Sequence, residues 1–363
     1  MENFKPVKFI GSGHYSIVYE VVVSNGKRDR KESFALKRFF ITNFKAADAA
    51  LREHHVLKRL AIEDSKSPFI TTLLYSFLYH DSPVLVLSKG SGIDLLDIID
   101  NFSPLTIDNA IFYLSEIISG LVNIHSKQIV HLDLKPENIL ISYSGHAIVS
   151  DFDCAYDMAF NEGPPKGQDY RGTFYFMAPE IANKIGILYE TDTWGVGALM
   201  ACMISGRYRP KLREGDSTRK QAEEGSWEVR GYDNLSRPLQ DFFGLCFHMN
   251  PHQRVLPANM KWLEIFRNIN WQTDVLHQRP PPYQPSQIVR RSDQSIPMDP
   301  CCQDILKTLT SKEKPLMVDG KLETIPMNSE CIRMSGITSK LVRELFANFD
   351  FTNESGLDCE DVC

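Results

Sequence analysis

Along residues 7–10, 16–23 and 33–40, β-branched and aromatic side chains recur in the spacing of strands. Ser24-Asn25-Gly26 marks a turn between the last two. Residues 46–60 change period. Ala50, Leu51, Val56, Leu57 and Leu60 fall on one face of a helix. Short apolar runs at 70–77 and 84–87 predict two buried strands. From about residue 94 the texture is helical, over 105–127, 191–205, 239–248 and 260–268. A strand-rich small half followed by a helix-rich large half predicts an α+β chain of two lobes with a cleft between them. Past Trp271 comes Arg279-Pro280-Pro281-Pro282-Tyr283-Gln284-Pro285 and then polar sequence, which predicts a tail without a core of its own.

Composition narrows the class without naming a chemistry. The 363 residues are 43% hydrophobic and 24% charged, an ordinary globular balance with enough chain for a real core. A net charge of −6 argues against a general nucleic-acid binder. No uninterrupted apolar run approaches the ~20 residues of a membrane span, and the first residues lack a signal-peptide core. The eight cysteines contain no C-x-x-C pair and read as reduced thiols of an intracellular, cytoplasmic or nuclear, soluble protein.

The chemistry lies in a series of short motifs. Gly11-Ser12-Gly13-His14-Tyr15-Ser16 sits between two strand patterns, where glycines let backbone N–H groups approach phosphate oxygens. A strand rather than a helix follows, which argues against a dinucleotide fold. Lys37, on the apolar strand Phe34-Ala35-Leu36-Lys37, needs an anionic partner if buried, and Glu53 on the next helix is the candidate. His131-Leu132-Asp133-Leu134-Lys135-Pro136-Glu137-Asn138 packs a carboxylate, an ammonium and an amide into one loop. There Asp133 can accept a hydroxyl proton, Lys135 can neutralise a transferring phosphoryl group and Asn138 can hold a metal ion. Asp151-Phe152-Asp153 then ends a strand pattern with a second metal-binding carboxylate, Asp151. Ala178-Pro179-Glu180 and Asp192-Thr193-Trp194-Gly195 follow.

In this order the motifs resemble the protein kinase set over about residues 4–270. Lys135 is the Ser/Thr form. Ser67-Pro68-Phe69-Ile70, Gly145-His146 and the run from Gly172 to Glu180 are similar to the AGC group, as are Pro281-Pro282-Tyr283 and the terminal Phe346-Ala347-Asn348-Phe349-Asp350-Phe351. The resemblance implies the two-lobed kinase fold, with the N-lobe over residues 1–88, the C-lobe over 89–270 and a tail over 271–363. It implies a Ser/Thr protein kinase using ATP with Mg2+ or Mn2+ on a protein substrate, preferably basic. The tail would dock on the chain's own N-lobe, and residues 286–345 would be partly disordered. Catalytic roles fall to Asp133, Lys135, Lys37 and Glu53, and metal binding to Asn138 and Asp151. Nucleotide contacts fall to Ile10, Gly11, Gly13, Val18, Ala35, Lys37, Leu87, Ser88 and Gly90. Glu180 would pair with Arg254, Thr173 would sit by Asp133, and Asp94 and Glu137 would receive substrate arginines. Folding would gather Lys37, Asp133, Asn138 and Asp151 around one triphosphate–metal pocket.

Five positions depart from the pattern. Leu132 replaces the arginine that ordinarily receives an activation-loop phosphate, and Asp169 and Asp350 stand where phosphorylatable residues are usual. Together these imply activity independent of phosphorylation, since a carboxylate carries about half a phosphate's charge. Asp153 replaces a glycine whose backbone freedom the loop normally uses, and Ser16 replaces the third glycine of the first loop. Asp153, Ser16 and Leu132 support the alternative of a pseudokinase acting as a nucleotide-binding scaffold or allosteric partner.

Overall fold

The computed structural model describes residues 4–23, 33–62, 66–79, 81–161, 163–205, 217–227, 229–291 and 339–352. The chain forms two compact units. Residues 1–62, 72–89 and 292–363 make the first, and residues 63–71 and 90–291 make the second. The segment read from sequence as one tail is therefore divided at residue 291. The turn predicted at Ser24-Asn25-Gly26, and most of the stretch expected to lack order, lie outside the described residues.

The first unit is an antiparallel sheet with one long helix. Strands β1 (Phe4–Ser12), β2 (Ser16–Val23), β3 (Ser33–Phe39), β4 (Leu73–Tyr79) and β5 (Ser82–Leu87) pair in the order β1-β2-β3-β5-β4. Register decides the faces. Gly11, Val18, Lys37 and Leu85 lie opposite one another across four strands, as do Glu20, Ala35 and Leu87, so these rows share a face. Ile17, Tyr19, Leu36, Val84 and Val86 alternate onto the opposite face, where they join one buried apolar cluster. Helix α1 (Phe44–Ile62) is capped by Asn43, whose side chain accepts from the Ala46 N–H at 3.0 Å. It packs against β4, burying Ala46, Ala47, Ala49 and Ala50.

A sixth strand comes from the far end of the chain. Helix α9 (Ser339–Leu345) buries Val342, and β11 (Phe351–Thr352) pairs antiparallel with Tyr75 and Ser76 of β4. Between them Phe346 and Phe349 are buried edge to face, and the Phe349 ring lies 4.1 Å from that of His54 on α1. Ser76 Oγ donates to the Phe349 carbonyl.

The second unit is mainly helical. Its helices include α2 (Leu95–Phe102), α3 (Ile107–Ser126), α4 (Pro179–Ala182), α5 (Glu190–Ser205), α6 (Thr218–Glu224), α7 (Arg237–Cys246) and α8 (Thr273–His277). Short strands β6 (Ile93–Asp94), β8 (Ile139–Ile141) and β9 (Ala147–Val149) form one sheet, and β7 (Ile129–Val130) pairs with β10 (Tyr156–Asp157). Trp194, Tyr113, Phe242, Phe243 and Phe266 fill the core. Residues 260–268 correct the sequence reading. They form two 3-10 turns, Pro257–Trp262 and Glu264–Phe266, divided by extended Leu263. One amendment concerns membranes: α3 is long and apolar enough to span one by length and composition, because scattered polar residues interrupt but do not dilute its apolar content. Most of it is buried within its unit, with Tyr113, Leu114, Ile117 and Leu121 inside.

Candidate active site

Each unit holds one part of the residue set singled out by sequence. In the first, Lys37 sits on β3 and Glu53 on α1, both buried. The Lys37 ammonium donates to both carboxylate oxygens, at 2.9 and 2.6 Å. The register places Gly11, Val18, Ala35 and Leu87 on the same face as Lys37. Ile10 falls at a register shift between Phe9 and Gly11, the signature of a bulge. At Gly13 a Cβ would lie 2.7 Å from the Ser16 hydroxyl oxygen, so a larger residue there would have to displace the serine side chain. Ser88 closes this unit's chain through its N–H to the Thr72 carbonyl, 2.9 Å. Gly90 belongs to the second unit, where a Cβ would meet the Ile141 carbonyl oxygen at 2.8 Å.

In the second unit the loop between β7 and β8 gathers Asp133, Lys135 and Asn138. Asp133 Oδ2 accepts from Lys135 Nζ at 2.6 Å and from Asn138 Nδ2 at 3.1 Å, and its Oδ1 accepts from the Thr173 N–H at 2.7 Å. Lys135 also donates to the Thr173 hydroxyl, 2.9 Å. Burial alone would lower the Lys135 pKa, yet the charges of Asp133 and Asp151 and the bond to Asp133 hold it well above the ordinary lysine value. Asp151 thus belongs to the same electrostatic cluster. It also occupies the left-handed region at φ 64°.

The donor set suits a hard divalent cation. Asn138 spends Nδ2 on Asp133, which leaves its carbonyl-type oxygen, together with the Asp151 carboxylate, as all-oxygen ligands. Among the described residues no group of three or more His, Cys, Asp or Glu is placed to hold a metal ion by itself.

The loop's geometry is imposed from below. Asp192, at the start of α5, accepts from the His131 and Leu132 N–H groups, each at 2.9 Å, and contacts His125 Nε2 at 2.8 Å. Burial pushes its carboxyl up, but the bond and charge of His125 win and hold it below the usual range. This fixes Leu132 at φ 67°, unusual for a branched residue. The Asp192 motif was legible in sequence, but its task was not. Thr173 does sit by Asp133. Glu180 and Arg254 form a buried two-bond pair, both contacts 2.7 Å, with the guanidinium 5.0 Å from the Trp194 ring centre.

The comparisons agree with this geometry. The protein kinase domain family matches residues 4–263, which is most of the chain. The chain belongs to the protein kinase family. Ribosomal protein S6 kinase beta of Caenorhabditis elegans is 36% identical over 209 residues, covering 56% of this kinase and 36% of the relative. G protein-coupled receptor kinase 1 of the same organism is 34% identical over 224 residues, 61% and 33% of the two chains. Human ribosomal protein S6 kinase alpha-2 is 28% identical over 304 residues, 82% and 40%. This kinase therefore spans about a third to two fifths of the length of these relatives. They are AGC-type kinases, the group its motifs resemble. Family membership implies ATP, a divalent metal ion and a protein substrate.

The departures have structural correlates. Leu132 packs with Tyr156, Met177, Ala178, Ile181 and Trp194, and Tyr170 of the activation segment packs against the same cluster. Asp169 Oδ2 accepts from the Lys166 N–H at 2.7 Å, and the Asp169 N–H bonds the Lys166 carbonyl, so this carboxylate closes a local turn. Asp153 is not among the residues at positive φ, so the glycine it replaces is not required by the backbone here.

Proposed function

We propose that the protein is a Ser/Thr protein kinase that transfers the γ-phosphoryl group of Mg-ATP to protein hydroxyls without prior phosphorylation of its activation segment. The arrangement around Asp133 carries the reading: a buried carboxylate held by an ammonium at 2.6 Å, an amide and a backbone N–H, beside the Thr173 hydroxyl. Asp133 orients the substrate hydroxyl and takes its proton. Lys135 neutralises charge on the transferring group, and Lys37, held by Glu53, contacts the α- and β-phosphates. Ile10, Gly11, Gly13, Val18, Ala35, Leu87, Ser88 and Gly90 line the nucleotide. Asn138 and Asp151 would hold magnesium, which supplies charge neutralisation at the phosphates when bound. Support for independence from phosphorylation comes from Leu132. An apolar cluster braces the segment where an arginine–phosphate pair would otherwise act.

Residues 1–88 and 89–270 then act as the two lobes. The 339–352 segment serves as a cis-docked tail, supported by its pairing with β4 and the burial of Phe346 and Phe349. Asp94 and Glu137 favour a basic substrate. Among the described residues, Cys154 and Cys246 are thiols outside any disulfide, which supports a reducing compartment, cytoplasm or nucleus. The test is phosphate transfer from ATP, with Mg2+ or Mn2+, to a basic protein before and after phosphatase treatment. Wild type should be active both times, and Asp133→Asn should lose at least ~100-fold. Equal signals from wild type and Asp133→Asn would leave the nucleotide-binding scaffold, and loss of activity on phosphatase treatment would refute phosphate independence.

A further inference from the structure

The face of α2 holds a piece of the chain's own tail. Asn101 pairs with both backbone groups of Val289: its Nδ2 donates to the carbonyl at 2.8 Å and its Oδ1 accepts from the N–H at 3.1 Å. Two residues on, the Arg291 N–H donates to Asp97 Oδ1 at 3.0 Å, and the Arg291 guanidinium forks onto Asp94 at 2.9 and 2.6 Å. Asp94, Asp97 and Asn101 stand at i, i+3 and i+7, one helix face. Val289 and Arg291 stand at i and i+2, one edge of an extended segment. The first contact reads main chain and is indifferent to sequence, whereas the second reads a planar guanidinium. This is the layout of a peptide-binding groove with one arginine-specific position.

The groove carries more negative charge than its occupant neutralises. Asp97 lies 3.8 Å from the guanidinium, and the charge of Glu137 also acts on it. Glu137 stands on the 3-10 turn Pro136–Asn138 of the loop that carries Asp133, and its Oε2 is buried without a hydrogen-bond partner. Burial, then the Asp97 charge, pushes the Asp94 carboxyl up to about 7 although Arg291 is in place. Asp94 and Asp97 face the guanidinium and the charge of Glu137 reaches it, so the site is acidic enough to receive an arginine from another chain once Arg291 leaves.

We propose that the segment 288–291 is a built-in competitor, with Arg291 occupying the position that an arginine of an extended basic protein substrate must take. The inference rests on the proposed kinase reading for its meaning, but not for its test, because occupancy is measured by binding alone. The full chain is titrated into a fluorescent peptide carrying one arginine, without nucleotide, and into a matched peptide with alanine there. Arg291→Ala should bind the arginine peptide about 5- to 10-fold tighter than wild type, with the alanine peptide unchanged. A synthetic peptide of residues 286–293 should displace the arginine peptide from Arg291→Ala, and its Arg291→Ala counterpart should not. Asp94→Asn, isosteric and able to keep the helix cap, should weaken the arginine peptide in both backgrounds. Equal affinity in wild type and Arg291→Ala, or equal tightening for both peptides, would overturn the proposal. Binding as expected without phosphate transfer would retain the competitor and discard the kinase activity.

Discussion

The loop that carries Asp133 and the segment that follows Asp151 are held by different forces. Around Asp133, an ammonium at 2.6 Å and a neutral amide at 3.1 Å meet the carboxylate, and Asp192 pins the backbone beneath. In the activation segment, Met177, Ala178 and Tyr170 pack with Leu132, and Asp169 closes a turn of its own. Phosphoryl transfer demands particular charges at particular places, so the first region has few solutions. Bracing demands only that the segment be fixed, and apolar burial does this as well as an ion pair. The replaceable arginine is thus one that braces, and no charge assigned to the chemistry has been lost.

The comparison is broken most severely at Glu180, where the bracing itself uses charge. Its pair with Arg254 is buried, so Arg254→Met strands a carboxylate and should cost about 3–5 kcal/mol. Adding Glu180→Leu should return much of that, because the stranded charge is gone. Urea unfolding of the two variants decides; a loss below about 1 kcal/mol for Arg254→Met would show that packing alone braces the large unit.

Leu132→Arg attacks the apolar side of the comparison. The guanidinium would enter a cluster with Tyr156, Met177 and Trp194, which should cost about 2–3 kcal/mol without a phosphate to receive it. Thermal unfolding should show this as a clear fall in Tm. An unchanged Tm would mean that the segment already offers an anionic partner, and Asp169 would be the group to test.

A third test concerns His54, where a titratable group sits inside an apolar contact. Burial lowers its pKa from 6.5 to about 4, with the Lys58 and His55 charges adding to the effect. Ser76 Oγ lies 3.0 Å from Nε2 and the Phe349 ring lies tilted against the imidazole. The undocked or unfolded form takes up the proton first as pH falls. The stabilisation is therefore present above pH 6.5 and is lost between 6.5 and 4, on the order of 1–2 kcal/mol by pH 5. Proteolysis of the 339–352 segment should quicken on acidification in wild type more than in His54→Gln. Parallel curves for the two would place the pH response elsewhere.

What could be read from sequence follows the same division. Lys37, Glu53, Asp133, Asn138 and Asp151 stood out in the sequence because the chemistry proposed for them tolerates few residue types at few spacings, and the Lys37–Glu53 and Asn138–Asp133 contacts are seen in the fold. The strands were legible because β-branched residues alternate there. Asp192 was visible as a motif but not as the clamp on the His131 and Leu132 N–H groups, since a carboxylate's partner 60 residues away leaves no local trace. Arg291 and Asn101 were missed for the same reason: their contacts span 197 and 188 residues, and neither stands in a periodic pattern. Residues 260–268 misled because apolar Met260, Leu263 and Phe266 recur at intervals of three, a step that an α-helix and a 3-10 turn both accommodate.

The smallest effect is expected at Asp153, and it tests whether the most suspicious departure is a defect. Glycine at this place is useful if the backbone must reach positive φ, but here Asp151 takes that geometry, at 64°, and Asp153 does not. The Asp153 carboxylate bonds the Cys154 thiol; burial first, then the charges of Asp153, Asp133 and Asp151, push that thiol's pKa well up. Asp153→Gly would remove this bond and loosen the unfolded chain, costing about 0.5–1 kcal/mol. Turnover at saturating Mg-ATP should stay within about threefold of wild type, because no backbone strain is released and the proposed ligands Asn138 and Asp151 remain. A tenfold rise would show that Asp153 repels the nucleotide phosphates, and the carboxylate would then count against catalysis despite its relaxed backbone.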